Sequence, residues 1–391
     1  SPALRHARAA MTTNKDWQKF NLMSVFGSAP AIRHQFQLGI TSYEPARDLK
    51  HTDRWLIAST LGTKSARKMA LEHKNRGWIP IASVAAKLSG SQRVAPEVDG
   101  HVFAFQKVSH TGLPVHVNAW FEVKNGLVGW ETEREGGREG ERERESARAS
   151  GAEEQACHEW NRELFGCVVD CYLDLLTTAL PQVFVQDPSL MYNFWPKTAD
   201  MDGAFRTLVH RPLFLELAKM QIFLLPNGQM AKMTAGVFRP DATSESLNLL
   251  FRHMFPMFIC PAALADEFRA AGLHEVSEVS PDRVRQRLRK DPKCFEGIYA
   301  TFTRSSQTQG EARDKFTSFV IDTLEFCLSD LSAQSFLQLH GLRLLPVTGG
   351  QLVTFPSEAI VARELEHKLL PAFRDNMVHA KCVERLSIYF L

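Results

Sequence analysis

The sequence predicts an α+β protein: a β-rich, hairpin-containing unit followed by an α/β unit that uses one helix-plus-hairpin element twice. Three observations lead there. On either side of Thr111-Gly112-Leu113-Pro114, Val102, Ala104 and Gln106 alternate with Phe103, Phe105 and Lys107, and Val115, Val117 and Ala119 alternate with His116, Asn118 and Trp120, so each flank reads as a strand. In that turn glycine tolerates positive φ, while proline fixes φ and donates no ladder bond. Trp160, Leu164, Val168, Tyr172, Leu175, Leu176 and Ala179 recur at three- and four-residue steps, the stripe of an amphipathic helix. Finally, Leu224-Leu225-Pro226-Asn227-Gly228-Gln229 returns in outline as Leu344-Leu345-Pro346 and Gly349-Gly350-Gln351, each copy after an apolar helical stretch.

Taken in order, Trp17 to Met23 alternates weakly like a strand, and Ala31 to Leu38 does so more clearly. There Ile32, Phe36 and Leu38 share one face and Arg33, Gln35 and Gln37 the other. Residues 54–123 read as a β-rich α+β stretch that contains the 101–121 hairpin. From Glu131 to Glu154 the chain is Glu, Arg and Gly with almost no apolar residue. Such a run buries too little surface to repay the entropy of ordering, and predicts a disordered or loosely helical insertion. The 160–179 stripe then ends near Pro181. A helix through Phe205, Leu208, Val209, Leu213, Leu217 and Met220 is broken or kinked at Pro212. Ser280-Pro281-Asp282 is a helix start, with a serine cap, proline at the first position and an acid in the first turn. That helix runs to Lys290. The chain thus divides into residues 1–130, a β-rich unit; 131–155, the insertion; 156–199, a connecting helix and linker; and 200–391, an α/β unit.

Composition narrows the function classes. With 391 residues, 44% hydrophobic and 23% charged, the chain supports two or more domains with real cores. A formal charge of +2 predicts no general attraction to nucleic acid or membrane. No apolar run approaches the length needed to span a bilayer and no signal peptide is visible. Seven scattered cysteines, an odd number, suit reduced thiols and predict a cytoplasmic protein. The chain begins without methionine and ends in the apolar run Leu386 to Leu391, so both ends read as cut from something longer.

Chemistry is sparse. There is no G-x-x-x-x-G-K-[ST], G-x-G-x-x-G, H-E-x-x-H or G-x-S-x-G pattern. Gly62-Thr63-Lys64 ends like a phosphate loop but lacks the earlier glycine. Cys157, His158, Cys167 and Cys171 are soft ligands, yet the last two lie on the apolar helical stripe, where cysteine packs as a small hydrophobe. His101, His110 and His116 flank the hairpin as strand-end residues. Arg283, Arg285, Arg287, Arg289 and Lys290 read as a solvated helix face, since no aromatic residues interleave with them. Catalytic, cofactor and metal residues are therefore expected to be none.

The wording of the hairpin adds a resemblance. Gly100-His101-Val102-Phe103-Ala104-Phe105, then Thr111-Gly112-Leu113-Pro114-Val115-His116-Val117-Asn118, resembles a signature segment of sacsin-type proteins. Arg54-Trp55-Leu56-Ile57, Trp78-Ile79-Pro80-Ile81-Ala82, Trp160-Asn161, Tyr192-Asn193-Phe194-Trp195-Pro196 and Leu344-Leu345-Pro346 fall in that family's order, so the resemblance spans nearly the whole chain. Ala119 departs from it, standing where the family pattern has glycine. These are very large intracellular proteins in which an ATPase module like that of heat shock protein 90 precedes a long downstream region. The ATPase module's Glu/Asn helix, D-x-G-x-G-like loop and glycine-rich lid have no match here. The resemblance therefore implies a non-catalytic region downstream of such a module, with no cofactor of its own. It would couple ATP turnover to protein partners: clients, co-chaperones and the neighbouring module, in protein folding. Arg54 is the residue that could reach a γ-phosphate in that arrangement. The alternative is a passive scaffold or spacer of a giant multidomain protein.

Overall fold

A computed structural model describes residues 32–44, 49–88, 99–104, 106–124, 127–128, 143–201, 203–240, 243–330, 337–348, 351–355 and 377–390. The helices and strands mix as expected of an α+β protein, with hairpins in both parts of the chain. The strand expected over Trp17–Met23 and the core of the Glu/Arg/Gly run lie outside the described residues. Two compact units share the chain: Ser1–Ile222 with Asp266–His274, and Phe223–Ala265 with Glu275–Leu391.

In the first unit alternating sequence becomes a six-stranded sheet. Its strands are β1 (Ile32–Glu44), β2 (Leu49–Leu61), β3 (Ile81–Leu88), β4 (His101–Ala104), β5 (Gln106–His110) and β6 (His116–Ala119). They lie in the order β1-β2-β3-β6-β4-β5. A short pair, β7 (Val123–Lys124) and β8 (Leu127–Val128), follows. The register corrects the expected hairpin. Residues 101–104 turn back at once into β5, and β6 lies parallel to β4, with Val102 opposite Val117, while pairing antiparallel with β3. The Thr111–Pro114 loop therefore crosses over β4 instead of closing a two-strand turn. Alternation could not distinguish these pairings, because both give each strand the same two faces.

One face of the sheet is sealed by a long helix. Here α1 (Lys64–Glu72) precedes β3, and α2 (Glu143–Asp174) continues through a π-turn at Leu175–Ala179 into α3 (Leu180–Val183). The helix begins inside the stretch expected as an insertion. Leu164, Val168, Tyr172 and Leu176 of this helix are buried, as are Leu56, Ala58, Val84, Ala86 and Val117 of the sheet. Cys171 Sγ donates to the Ala82 carbonyl at 3.2 Å. From Glu153 to Val183 the helix is long and apolar enough to cross a membrane by length and composition. This differs from the sequence reading, and 72% of its most apolar window is buried within the protein. Two π-turns, Leu175–Ala179 and Arg206–His210, end just before Pro181 and Pro212. Proline removes one backbone donor and crowds the carbonyl four residues back, and the wider turn absorbs both.

Residues 200–222, expected with the C-terminal unit, group with the first. Phe205 meets Phe165 edge-on at 5.5 Å. In α4 (Arg211–Leu217), Phe214 packs on Trp195 and on Phe268. His210, itself buried, bonds Glu267 at 2.9 Å.

The second unit repeats one construction. Strands β9 (Phe223–Leu224) and β10 (Met230–Ala231) form the first hairpin, turning at Gly228 with φ 81°. β11 (Leu342–Pro346) and β12 (Leu352–Phe355) form the second. Among them stand α5 (Glu245–Met254), α7 (Pro281–Lys290), α8 (Cys294–Ser305), α9 (Gln309–Leu328) and α10 (Ala380–Phe390), with α6 (Leu264–Ala270) spanning the junction of the two units in sequence. Leu250, Phe251, Leu288, Phe319, Leu324 and Leu344 belong to one buried cluster. The serine cap forms as expected: Ser280 Oγ accepts the Arg283 N–H.

Candidate functional site

The signature segment supplies both the interior of the first unit and a chemically mixed outer face. Its interior is explained by close packing. Thr111, Leu113, Val115 and Val117 are all at most 1% exposed. The Thr111 N–H donates to the Gly100 carbonyl at 2.9 Å, and Thr111 Oγ1 accepts the Leu113 N–H at 3.0 Å. A Cβ at Gly100 would strike the carbonyls of Leu113 and Val115, and one at Gly112 would strike the main chain of Asp200. Trp160 and Asn161 belong to the same design. The Asn161 amide accepts the Glu122 N–H at 2.8 Å and donates to the Glu122 carbonyl at 2.9 Å, imitating a strand edge. The Trp160 ring lies flat on Trp78 at 4.8 Å.

The outer face is where solvent-accessible chemistry gathers. Side chains alternate across the pleat, so Trp55, Lys87, Phe103 and His116 lie opposite the helix-covered face. The Trp55 ring reaches across Ala85 to stack on His116 at 5.3 Å, and Phe103 meets the same imidazole edge-on. Lys87 pairs with Asp53 at 2.9 Å and stands 6.0 Å above Trp55. His101 and His110 are 5.4 Å apart by ring centroid, His101 and His116 6.0 Å. His110 bonds the Asp99 carboxylate through Nε2. The fold thus brings the three sequence-marked histidines together and adds Trp55, Phe103 and Asp99 to them. A period-two pattern on β2 could have flagged Trp55, but not its neighbour 61 positions away.

His116 Nδ1 accepts the His101 main-chain N–H at 3.2 Å, so its proton resides on Nε2 in the neutral ring. Burial, aided by the charges of His101 and Lys107, pulls its pKa below the ordinary 6.5. The arrangement can stack an aromatic or apolar group and exchange protons. Among the described residues it brings no serine, cysteine or threonine side chain into hydrogen-bond contact with the Asp99–His110 pair, as acyl transfer would require.

The other sequence-marked residues disperse. Gly62-Thr63-Lys64 is a helix cap: Thr63 Oγ1 accepts the Ala66 N–H at 3.1 Å, and Gly62, at φ 55°, presses on Pro80. Cys167 and Cys171 are buried, and desolvation pushes the Cys167 thiol up to about 11 and Cys171 well above its usual range. Cys157 instead meets Arg76 at 2.9 Å. Among the described residues no group of three His, Cys, Asp or Glu is placed to hold a metal ion. Arg54 is exposed on β2. The basic helix α7 is corrected in part: Arg285 is 1% exposed, bonding Gln338 and the Cys327 carbonyl at 2.5 Å and Asp330 at 2.7 Å. Arg289 is tied to the Leu337 and Gln338 carbonyls. An arginine needs neighbours remote in sequence to be buried, so periodicity alone assigned the whole row to solvent.

A comparison with curated proteins adds a relative. Human Sacsin is 23% identical over 370 residues, covering 86% of this chain and 7% of Sacsin. The chain is similar to Sacsin. It spans a small fraction of that relative's length. The similarity supports a sacsin-like relationship. No family model matches the chain, and no solved structure matches it.

Proposed function

We propose that this chain is a non-catalytic middle region of a sacsin-like, chaperone-associated protein. It couples an ATPase module of the heat shock protein 90 type, N-terminal to it, to the binding of clients or co-chaperones in the cytoplasm. The similarity to Sacsin along 86% of the chain carries this reading. Support comes from the site chemistry. The one sequence that ends like a phosphate loop caps a helix, and the signature residues Thr111, Leu113 and Val117 serve packing. The seven free cysteines accord with a reducing compartment.

Two measurements test it. Calorimetric titration of the chain with ATP and magnesium should give binding no tighter than on the order of millimolar and no hydrolysis; micromolar binding refutes the non-catalytic part. Joined behind a heat shock protein 90-type ATPase module, the chain should change the module's ATP turnover and suppress aggregation of a heat-denatured client. Unchanged turnover together with unchanged aggregation refutes coupling and leaves a spacer.

A further inference from the structure

The two edges of the six-stranded sheet are built differently. One edge is β5, which is five residues long, meets a register shift in its pairing with β4, carries Lys107 and lies against β8. Short length, a bulge, a lysine and a covering strand are the devices by which a sheet edge resists further pairing. The other edge is β1, and it has none of them. It is thirteen residues long and keeps an unbroken register with β2 from end to end. Between residues 33 and 43 it contains no proline, no lysine and no acid. Its one arginine there, Arg33, is engaged with Asp170 of the covering helix at 3.8 Å. In an antiparallel ladder only alternate residues turn their N–H and C=O groups to the neighbouring strand, so the others on β1 turn theirs away from β2. Ile40, which that edge carries, is 49% exposed.

We propose that β1 is the interface of a two-fold homodimer, in which residues 35–41 of two copies pair antiparallel about Leu38 and join two sheets into one. The sequence of β1 selects this partner and this axis. Leu38 is the middle residue of the strand. An axis there sets Leu38 opposite the partner's Leu38, Phe36 opposite the partner's Ile40 and Gln35 opposite the partner's Thr41. Phe36, Leu38 and Ile40 share the face on which Trp55 and Ile57 stand, so the apolar row of one sheet continues into the other. An aromatic ring facing a β-branched side chain is a favourable cross-strand pair. Moving the axis by one residue sets Ile40 against the partner's His34 or Phe36 against the partner's Ser42, so only the Leu38 axis gives all three apolar residues apolar partners. No like charges meet, because residues 35–41 carry none. Beside the axis Gly39, with nothing within 4 Å of an added Cβ, leaves room for the partner's Gln37. A two-fold contact consumes both β1 edges and leaves the protected β5 edges outermost, so assembly stops at two copies.

This dimer does not rest on the coupling proposed above, since it needs neither ATP nor client. Sedimentation equilibrium of the full chain over a range of concentrations should show monomer and dimer and no larger species. Leu38→Lys and Leu38→Glu each place like charges opposite one another at the axis, and each variant alone should dimerise about tenfold or more weakly than the wild type. Mixed in equal amounts, the two variants should recover the dimer, because the substituted positions then carry opposite charges across the axis. Added salt should weaken the mixed dimer and leave the wild-type dimer in place, since the latter is held by main-chain bonds and apolar contact. Recovery on mixing also shows that each variant is folded, as an unfolded chain offers no strand to pair. A wild type that stays monomeric at every concentration, species larger than a dimer, single variants that dimerise as the wild type does, or a mixture that stays monomeric overturns the proposal.

Discussion

Replacing Gly112 with alanine tests whether the signature segment is a packing device. Gly112 sits at φ 69°, where an L-residue costs about 1–2 kcal/mol. Gly77 sits at φ 65° with nothing within 4 Å of an added methyl, so Gly77→Ala bears the backbone cost alone. At Gly112 the methyl would overlap the main chain of Asp200 and Met201, and main chain cannot rotate away. The 111–113 loop must then lift. That loosens the Thr111-to-Gly100 and Leu113-to-Thr111 bonds, worth about 1 kcal/mol each, and exposes part of Leu113, worth about 1.5–3 kcal/mol when fully buried. Gly112→Ala should therefore cost about 3 kcal/mol more than Gly77→Ala. Urea unfolding followed by tryptophan fluorescence measures it cleanly, because all seven tryptophans fall within the first unit. Equal destabilisation by the two substitutions would refute the close approach and, with it, the packing account of the motif.

Three further outcomes are expected. Val117→Asp, placing a charge at a site with no solvent exposure, should cost more than about 4 kcal/mol and unfold the first unit, whereas exposed Asn118→Ala should stay within about 0.5 kcal/mol; a folded Val117→Asp would mean the strand faces are inverted. Arg285→Met removes the side-chain partner of the buried Cys327 carbonyl and one partner of the Asp330 carboxylate and should cost about 3 kcal/mol, against about 0.5 kcal/mol or less for exposed Arg287→Met; circular dichroism during denaturation distinguishes them, and equal costs would return Arg285 to solvent. The His116 pKa is lowered in the folded state, so as pH falls through 6.5 the unfolded chain takes up this proton first and stability drops; well above 6.5 the ring is neutral in both states and contributes no slope. His116→Gln should therefore lose less stability than the wild type between about pH 7.5 and about pH 5, and identical losses would contradict the burial of that ring.

Local chemistry in the sequence determined which segments become helix or strand and which side chains face inward. The 160–179 stripe forms the helix that seals the sheet, Ser280 caps α7, the Asn-Gly turn closes β9 on β10, and the inward row Val115, Val117, Ala119 is buried. Each of these depends on neighbours a few residues apart, where periodicity and cap chemistry act. Pairing was decided only in three dimensions. Thr111-Gly112-Leu113-Pro114 satisfies the rules of a hairpin turn, yet the chain uses it to cross over β4, because Gly100 and Gly112 permit main-chain approaches that join residues 100 to 113 and 112 to 200. The burial of Arg285 and the histidine group around Trp55 were equally hidden. Their partners lie tens of positions away, and a one-dimensional pattern carries no term for contacts at that separation.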